Sequence, residues 1–229
     1  VGSEMCIRDS PGIEQLILKA GGNASNDSDD AALLSRGRLL ADVPSPTWME
    51  LHTVADGSQV LYAVLEDTNE IASFRVEGAG DSLRLVELSR VPTPGHAVTH
   101  VVFVRDDEGQ GRLITADYAD GYVCVHPVTE SGVILEVAQM LRGEGHGPLP
   151  KPDQAASLAF VPWNALQGNA GAAAASEGIA GLAYVGLRGS ERIVTLLWDG
   201  KRLTRLDEPD VPGWRGRGIC LLYTSDAAD

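Results

Sequence analysis

From about residue 44 onward the chain consists of short apolar runs separated by compact polar turns. QVLYAVLE (59–66), the turn DTNE and IASFRV (71–76) make the first such unit. GRLITADY (111–118), ADG and YVCVHPV (122–128) make the second, and GLAYVGLR (181–188), GSE and RIVTLLW (192–198) the third. β-Branched and aromatic residues bounded by Gly, Asp and Asn predict three β-hairpins. Alternation inside IASFRV and RIVTLLW is only partial, as expected for strands covered on both faces.

The hairpins also line up with one another. Leu61, Leu113 and Leu182 begin equivalent segments, 52 and 69 residues apart. The longer gap holds NALQGNAGAAAASEG (164–178), a small-residue stretch that reads as a loop insertion of roughly 17 residues. Without it the period returns to about 52, the mark of a repeat array. A strand precedes each hairpin (PTWMELHTV, THVVFVRD, SLAFVPW) and another follows it (SLRLVELSRV, VILEVAQML, KRLTRLDEP). Four strands per unit at this period describe a blade, so the expected fold is all-β: a β-propeller of about four blades, each a four-stranded antiparallel sheet. An antiparallel sandwich is the competing architecture. GIEQLILKA and RGRLLADV, joined by GGNASNDSDDAA, read as the remains of a preceding blade.

Composition narrows the partners. A formal charge of −14 argues against a nucleic-acid backbone or an anionic membrane as the main partner, but says little about a small substrate. The ends, residues 1–10 and 220–229, fit no pattern of the body and look like translated adapter sequence, so a single incomplete propeller domain is expected over 11–219. Cys6 and Cys220 fall in those ends. Cys124 then stands alone in a strand-like run and is expected to be a small buried hydrophobe.

Four stretches resemble one known family in order and spacing. PSPTWMELHTVADGSQVLYAVLE is similar to the blade start ending LYAVNE of the lactonase family that includes 6-phosphogluconolactonase. THVVFVRDDEGQGRLITADYADGYVCVHPV resembles its PCH…LLVANYGGGSVSVFPL pattern. GEGHGPLPKPDQAASLAFVPW resembles GSGP…RQ…PHxHSVxFDP, and LAYVGLRGSERIVTLLWDGKRLTRL resembles YVxNRGxDSIAVFxID…GxLTLV. The resemblance covers about residues 44–218 and implies a seven-bladed propeller whose members hydrolyse a sugar-derived lactone, phosphorylated or not, or cyclise a muconate.

It also implies site residues at the channel mouth. His100 matches the histidine of the P-x-H blade start, Arg188 the arginine of the NRG turn, and Glu66 the acidic residue of LYAVNE; these are the candidate catalytic set. Arg217, or Arg215 two residues before it, falls at a further blade start and is the candidate substrate-binding cation. Lactone hydrolysis requires a base to activate water and donors for the developing oxyanion, so His, Arg and Glu suffice without metal or cofactor. Structural roles compete with each: a strand-capping histidine, an Arg188–Glu191 ion pair, an edge carboxylate. One departure is large. Where the family has the two histidines of PHxHSV, this chain has Gln154 and Ala156, ahead of Ser157.

Other residues carry less. His146 in GEGHGP lacks the flanking strand and helix of a phosphate loop. Asp27, Asp29 and Asp30 lack the glycine and terminal glutamate of a calcium loop. Asn23 and Asn26 head sequons, and His96 and His126 show no partner at metal spacing. Trp48, Trp163 and Trp198 read as fillers between blades. The expectation is therefore a cytoplasmic, monomeric lactonase acting on a small-molecule lactone, with no cofactor, nucleic acid or membrane, inactive as a partial ring. A non-catalytic propeller binding a protein or metabolite, and a muconate-type cyclase, remain the alternatives.

Overall fold

A hairpin that is apolar on both faces cannot bury itself; it needs a sheet on either side. The computed structural model, which describes residues 12–19, 33–106, 108–142, 153–166, 179–190 and 192–206, meets that need by stacking sheets. Strands β1 (Ile13–Lys19) and β2 (Leu33–Ala41) form a two-stranded antiparallel sheet. The next four, β3 (Pro46–Thr53), β4 (Gln59–Leu65), β5 (Glu70–Glu77) and β6 (Arg84–Pro92), pair in sequence order. So do β7 (Val98–Arg105), β8 (Gly111–Asp117), β9 (Tyr122–Pro127) and β10 (Gln139–Arg142). The third four are β11 (Ala155–Pro162), β12 (Gly181–Leu187), β13 (Arg192–Trp198) and β14 (Leu203–Arg205). Among the described residues helix is confined to a 3-10 turn at Gly80–Ser82 and four residues at Trp163–Leu166. The described residues thus hold three complete propeller blades and two strands of a preceding one, as the repeat period predicts. Residues 167–178 of the insertion, and both terminal segments, lie outside the described residues.

Apolar side chains fill the spaces between sheets. Ile13, Val43, Leu65 and Phe74 pack between the two-stranded sheet and the first blade. Tyr62, Val64, Ile71, Val101 and Leu113 fill the next layer, and Ile114, Val125, Val185, Leu196 and Trp198 the one after. Each layer draws alternate residues of the central strands, so β8 sends Leu113 one way and Ile114 the other. In β12 strict alternation returns, with Gly181, Ala183, Val185 and Leu187 buried and the intervening residues half-buried. Trp48 and Trp198 take the interblade places expected of them.

Polar bonds pin neighbouring blades in register. Glu50 Oε2 accepts the Phe103 backbone N–H at 2.7 Å, joining innermost strands β3 and β7. The Gln139 amide exchanges two bonds with Leu203, Nε2 to its carbonyl and its N–H to Oε1, both at 2.8 Å. That side chain mimics a paired strand between β10 and β14. VILEVAQML departs from the continuous strand its composition predicts. Ile134 makes a single bridge to Val128 and buries itself, with its N–H on Ser89 Oγ of the preceding blade at 2.9 Å, and the ladder resumes only at Gln139. Packing across the interblade layer overrides local strand propensity there.

Among the described residues two histidines, His100 and His126, are buried. Burial pushes the pKa of His126 down to about 4, opposed by its contact with the Leu135 carbonyl, and does the same to His100, opposed by Glu50. Both imidazoles fold neutral, so their stability share is intact above the ordinary histidine value near 6.5 and is lost as pH falls toward 4. Each shift corresponds to something on the order of 3 kcal/mol. His126→Leu is therefore expected to flatten the acid limb of stability between those values by one histidine's share. Urea unfolding at stepped pH reads this; an unchanged limb would mean that His126 is protonated without cost.

Candidate functional site

The innermost strands β3, β7 and β11 begin at one end of the stack, where β4, β8 and β12 end. One bond recurs there in each of the three described blades. The N–H of the first residue of each hairpin turn donates to the carbonyl of the residue preceding the innermost strand: Glu66 to Ser45 at 3.1 Å, Tyr118 to Ala97 at 2.8 Å, Arg188 to Gln154 at 2.8 Å. Ser45 and Ala97 hold left-handed φ values of 41° and 56° to present those carbonyls. This brings Glu66, Tyr118 and Arg188 onto one rim as structural equivalents.

Arg188 is exposed and its Nη1 donates to Tyr118 Oη at 3.1 Å, across the boundary between two blades. Glu66 is half-buried on the same rim and also has an interaction partner. Asp67 accepts the hydroxyl of Ser45. His100 lies deeper. It is buried, its ring stacks on Trp48 at a centroid distance of 4.0 Å, and its Nδ1 has no hydrogen-bond partner among the described residues. His100 bonds to neither Arg188 nor Glu66, so the structure gathers two of the three candidates on the rim and sets the third below it. Arg215, Arg217, His146, Glu191, the 27–30 aspartates and the sequons at Asn23 and Asn26 lie outside the described residues.

The repeat gives the departures at Gln154 and Ala156 a physical meaning. Each innermost strand bulges at its second residue, Thr47, Thr99 or Ala156. Thr47 Oγ1 donates to Val98 O, and Thr99 Oγ1 to Ala155 O, each at 3.4 Å. Ala156 has no hydroxyl to continue that stitch. Gln154 uses its carbonyl for the rim bond, which needs no particular side chain. Ser157 stands in register with Trp48 and His100, and its Oγ is buried without a partner among the described residues.

The rim is completed by His96, which sequence reading gave little weight, and by Asp117, Tyr118 and Asp120, which it did not single out. His96 Nδ1 lies 2.5 Å from Asp120 Oδ2, a carboxylate-oriented imidazole whose ring is 71% exposed. Asp117, the last residue of β8, is fully buried, and Oδ2 accepts the Gly95 N–H at 3.1 Å and the Cys124 thiol at 3.6 Å. Its Oδ1 has no partner among the described residues, and burial raises its pKa to about 6 despite the thiol and the Gly95 N–H. Cys124 is buried and its thiol pKa is pushed up, chiefly by burial and then by Asp117, which leaves it a packing residue rather than a nucleophile. The signal for Tyr118 and Asp117 was the repeat itself: LYAVLE, LITADY and AYVGLR align them with Glu66 and Leu65, and with Arg188 and Leu187. His96 and Asp120 are 24 residues apart and meet only through the turn.

Among the described residues no cluster of three or more His, Cys, Asp or Glu could hold a metal ion, and no helix is long and apolar enough to cross a membrane. The fold has solved counterparts. A Lactobacillus plantarum protein aligns with a TM-score of 0.53 at 18% identity, over 85% of this chain and 52% of its own. The periplasmic gluconolactonase of Pseudomonas aeruginosa aligns with a TM-score of 0.50 at 18% identity, over 85% of this chain and 67% of its own. The chain thus spans about half the length of the first and two thirds of the second. No curated protein matches in sequence. A family profile described as "Lactonase, 7-bladed beta-propeller" matches residues 10–164, and on that match, with three blades in the expected register, the chain belongs to the seven-bladed β-propeller lactonase family.

Proposed function

We propose that the full-length protein is a lactone hydrolase acting on an unphosphorylated sugar-derived lactone. The observation that carries this reading is the rim, where an exposed guanidinium bonded to a phenol lies at the same end of the fold as an imidazole held by a carboxylate. Asp120 fixes the His96 ring through Nδ1 and leaves Nε2 to take a proton, the arrangement in which a carboxylate orients a general base. Water attacks the lactone carbonyl as His96 takes its proton. Arg188 and the Tyr118 hydroxyl stabilise the oxyanion, the ring C–O bond breaks, and the proton passes to the leaving oxygen to give the hydroxy acid. Geometry favours His96 over His100 as the base, because His100 is buried and has no carboxylate bonded to it. Glu66 remains on the rim as a candidate to orient substrate hydroxyls, and Arg215 or Arg217 as a further binding cation.

Charge supports the unphosphorylated substrate. Around the mouth the carboxylates of Asp67 and Asp120 stand near one described guanidinium, Arg188. A phosphate dianion would meet that acidic rim unfavourably. The second reading, a propeller that binds a metabolite without turning it over, is favoured by one observation, the apolar Ala156 where the family pattern has a histidine. A cytoplasmic monomer remains the proposed setting.

Assay on glucono-1,5-lactone and its 6-phosphate, corrected for spontaneous opening, tests the proposal. The neutral lactone is expected to be preferred by about tenfold or more in kcat/KM, the scale of one like-charge contact at a rim. No rate above background in well-folded protein would leave the binding reading in place. Arg188→Ala is expected to cost about 100-fold in kcat, as for loss of one oxyanion donor, and Asp120→Asn to depress kcat more than it alters KM. An Arg188→Ala enzyme with unchanged kcat would remove the oxyanion role.

A further inference from the structure

The last residue before each hairpin turn on the second strand of a blade is Leu65, Asp117 or Leu187 in the three blades. All three are buried, at 0%, 0% and 2% exposure, so the fold accepts leucine at this place twice and carries a carboxylate once. Burying a carboxyl where an apolar side chain fits is unfavourable, and a lone N–H and a weak thiol donor offset that only in part. Something local to the second blade must depend on it.

That dependence lies in the segment arching over it. Residues 93–97 lead from β6 into β7 and carry His96. Thr93 N–H donates to Asn69 O at 2.8 Å, and Ala97 N–H to Asn69 Oδ1 at 2.5 Å, tying both ends of the segment to the first blade. Tyr118 N–H and Ala119 N–H hold the carbonyls of Ala97 and His96 from the second blade. Between them Gly95 rests directly on Asp117: a Cβ at Gly95 would fall 2.3 Å from Oδ2 and 2.6 Å from the Asp117 Cβ. No side chain fits between segment and carboxyl.

We propose that Asp117 is the positioning residue of this rim, its carboxyl holding Gly95 down so that the next residue, His96, meets Asp120. The proposal rests on the hydrolase reading only for its catalytic consequence; the positioning itself is independent of substrate. Leu65 and Leu187 serve turns that carry no histidine partner, which is why leucine suffices there. The titratable groups that face Asp117 among the described residues are Cys124 on β9, Asp120 on the turn and His96 on the arch. With burial holding the carboxyl near neutrality in its proton affinity, the strength of this clasp varies with pH in the range where the site would work.

Three variants separate charge, hydrogen bond and shape. Asp117→Asn keeps an acceptor for the Gly95 N–H without the charge, Asp117→Leu matches the neighbouring blades, and Gly95→Ala drives a methyl into the carboxyl. Amide-resolved hydrogen exchange should show Gly95 and His96 opening about tenfold faster or more in Asp117→Leu and Gly95→Ala, and within about threefold of wild type in Asp117→Asn. The Gly95 amide shift should titrate with a midpoint near 6 in wild type and stay flat in Asp117→Asn. On lactone, kcat should fall in Asp117→Leu with KM little changed, recover in Asp117→Asn, and lose its pH dependence around that midpoint. Equal Gly95 protection in all variants overturns the proposal, as does exchange that rises across the whole second blade together. A wild-type protein that turns over no lactone while Gly95 still titrates removes the hydrolase reading and leaves the positioning role standing.

Discussion

One hydrogen bond, repeated in three blades, sets the geometry on which the rest depends. The N–H that opens each hairpin turn reaches the carbonyl that precedes the innermost strand, and so joins the start of a blade to the middle of the same blade. Because the donor is backbone, the residue type at the turn is free to vary. Glu66, Tyr118 and Arg188 are therefore held in equivalent places with unrelated chemistry. A scaffold that fixes the backbone and leaves the side chain open is what allows a propeller to carry a site on its rim without altering its core. Left-handed φ at Ser45 and Ala97 is the conformational cost of presenting that carbonyl, and both lie next to the candidate site.

The fold was legible because its signals are local. Each hairpin declares itself within about twenty residues, and a period near 52 follows from comparing Leu61, Leu113 and Leu182. The misreading of VILEVAQML is of the opposite kind. Its β-branched composition is that of a strand, but Ile134 has a better place in the layer behind it, and the sequence carries no mark of that competition. The candidate residues Arg188 and Glu66 came from the family resemblance, and the structure places both at the heads of their turns. The His96–Asp120 pair depends on how residues 93–97 fold over a neighbouring turn, a geometry that only the tertiary structure supplies.

Equally instructive is what the repeat does at the start of the innermost strands. Trp48, His100 and Ser157 share one place, and Thr47, Thr99 and Ala156 another. A position filled in turn by tryptophan, histidine and serine does not demand one side-chain volume. The second blade buries four ionisable groups, His100, Asp117, Cys124 and His126. The two histidines and the thiol are taken into the protein neutral, so the histidines resist protonation as pH falls, whereas Asp117, held at about 6, is largely ionised at neutral pH.

Asp117 acts in the opposite sense to those histidines. A carboxyl whose proton affinity is raised by burial favours the folded state as pH drops from about 6 toward the ordinary aspartate value, and disfavours it above. The second blade therefore carries a group that is least comfortable at neutral pH, directly beneath the segment bearing His96. Leucine at the same place in the blades on either side removes any architectural reason for it. Where a repeat protein offers its own internal comparison, the informative residue is the one that departs from its equivalents at a cost, and here that residue is Asp117.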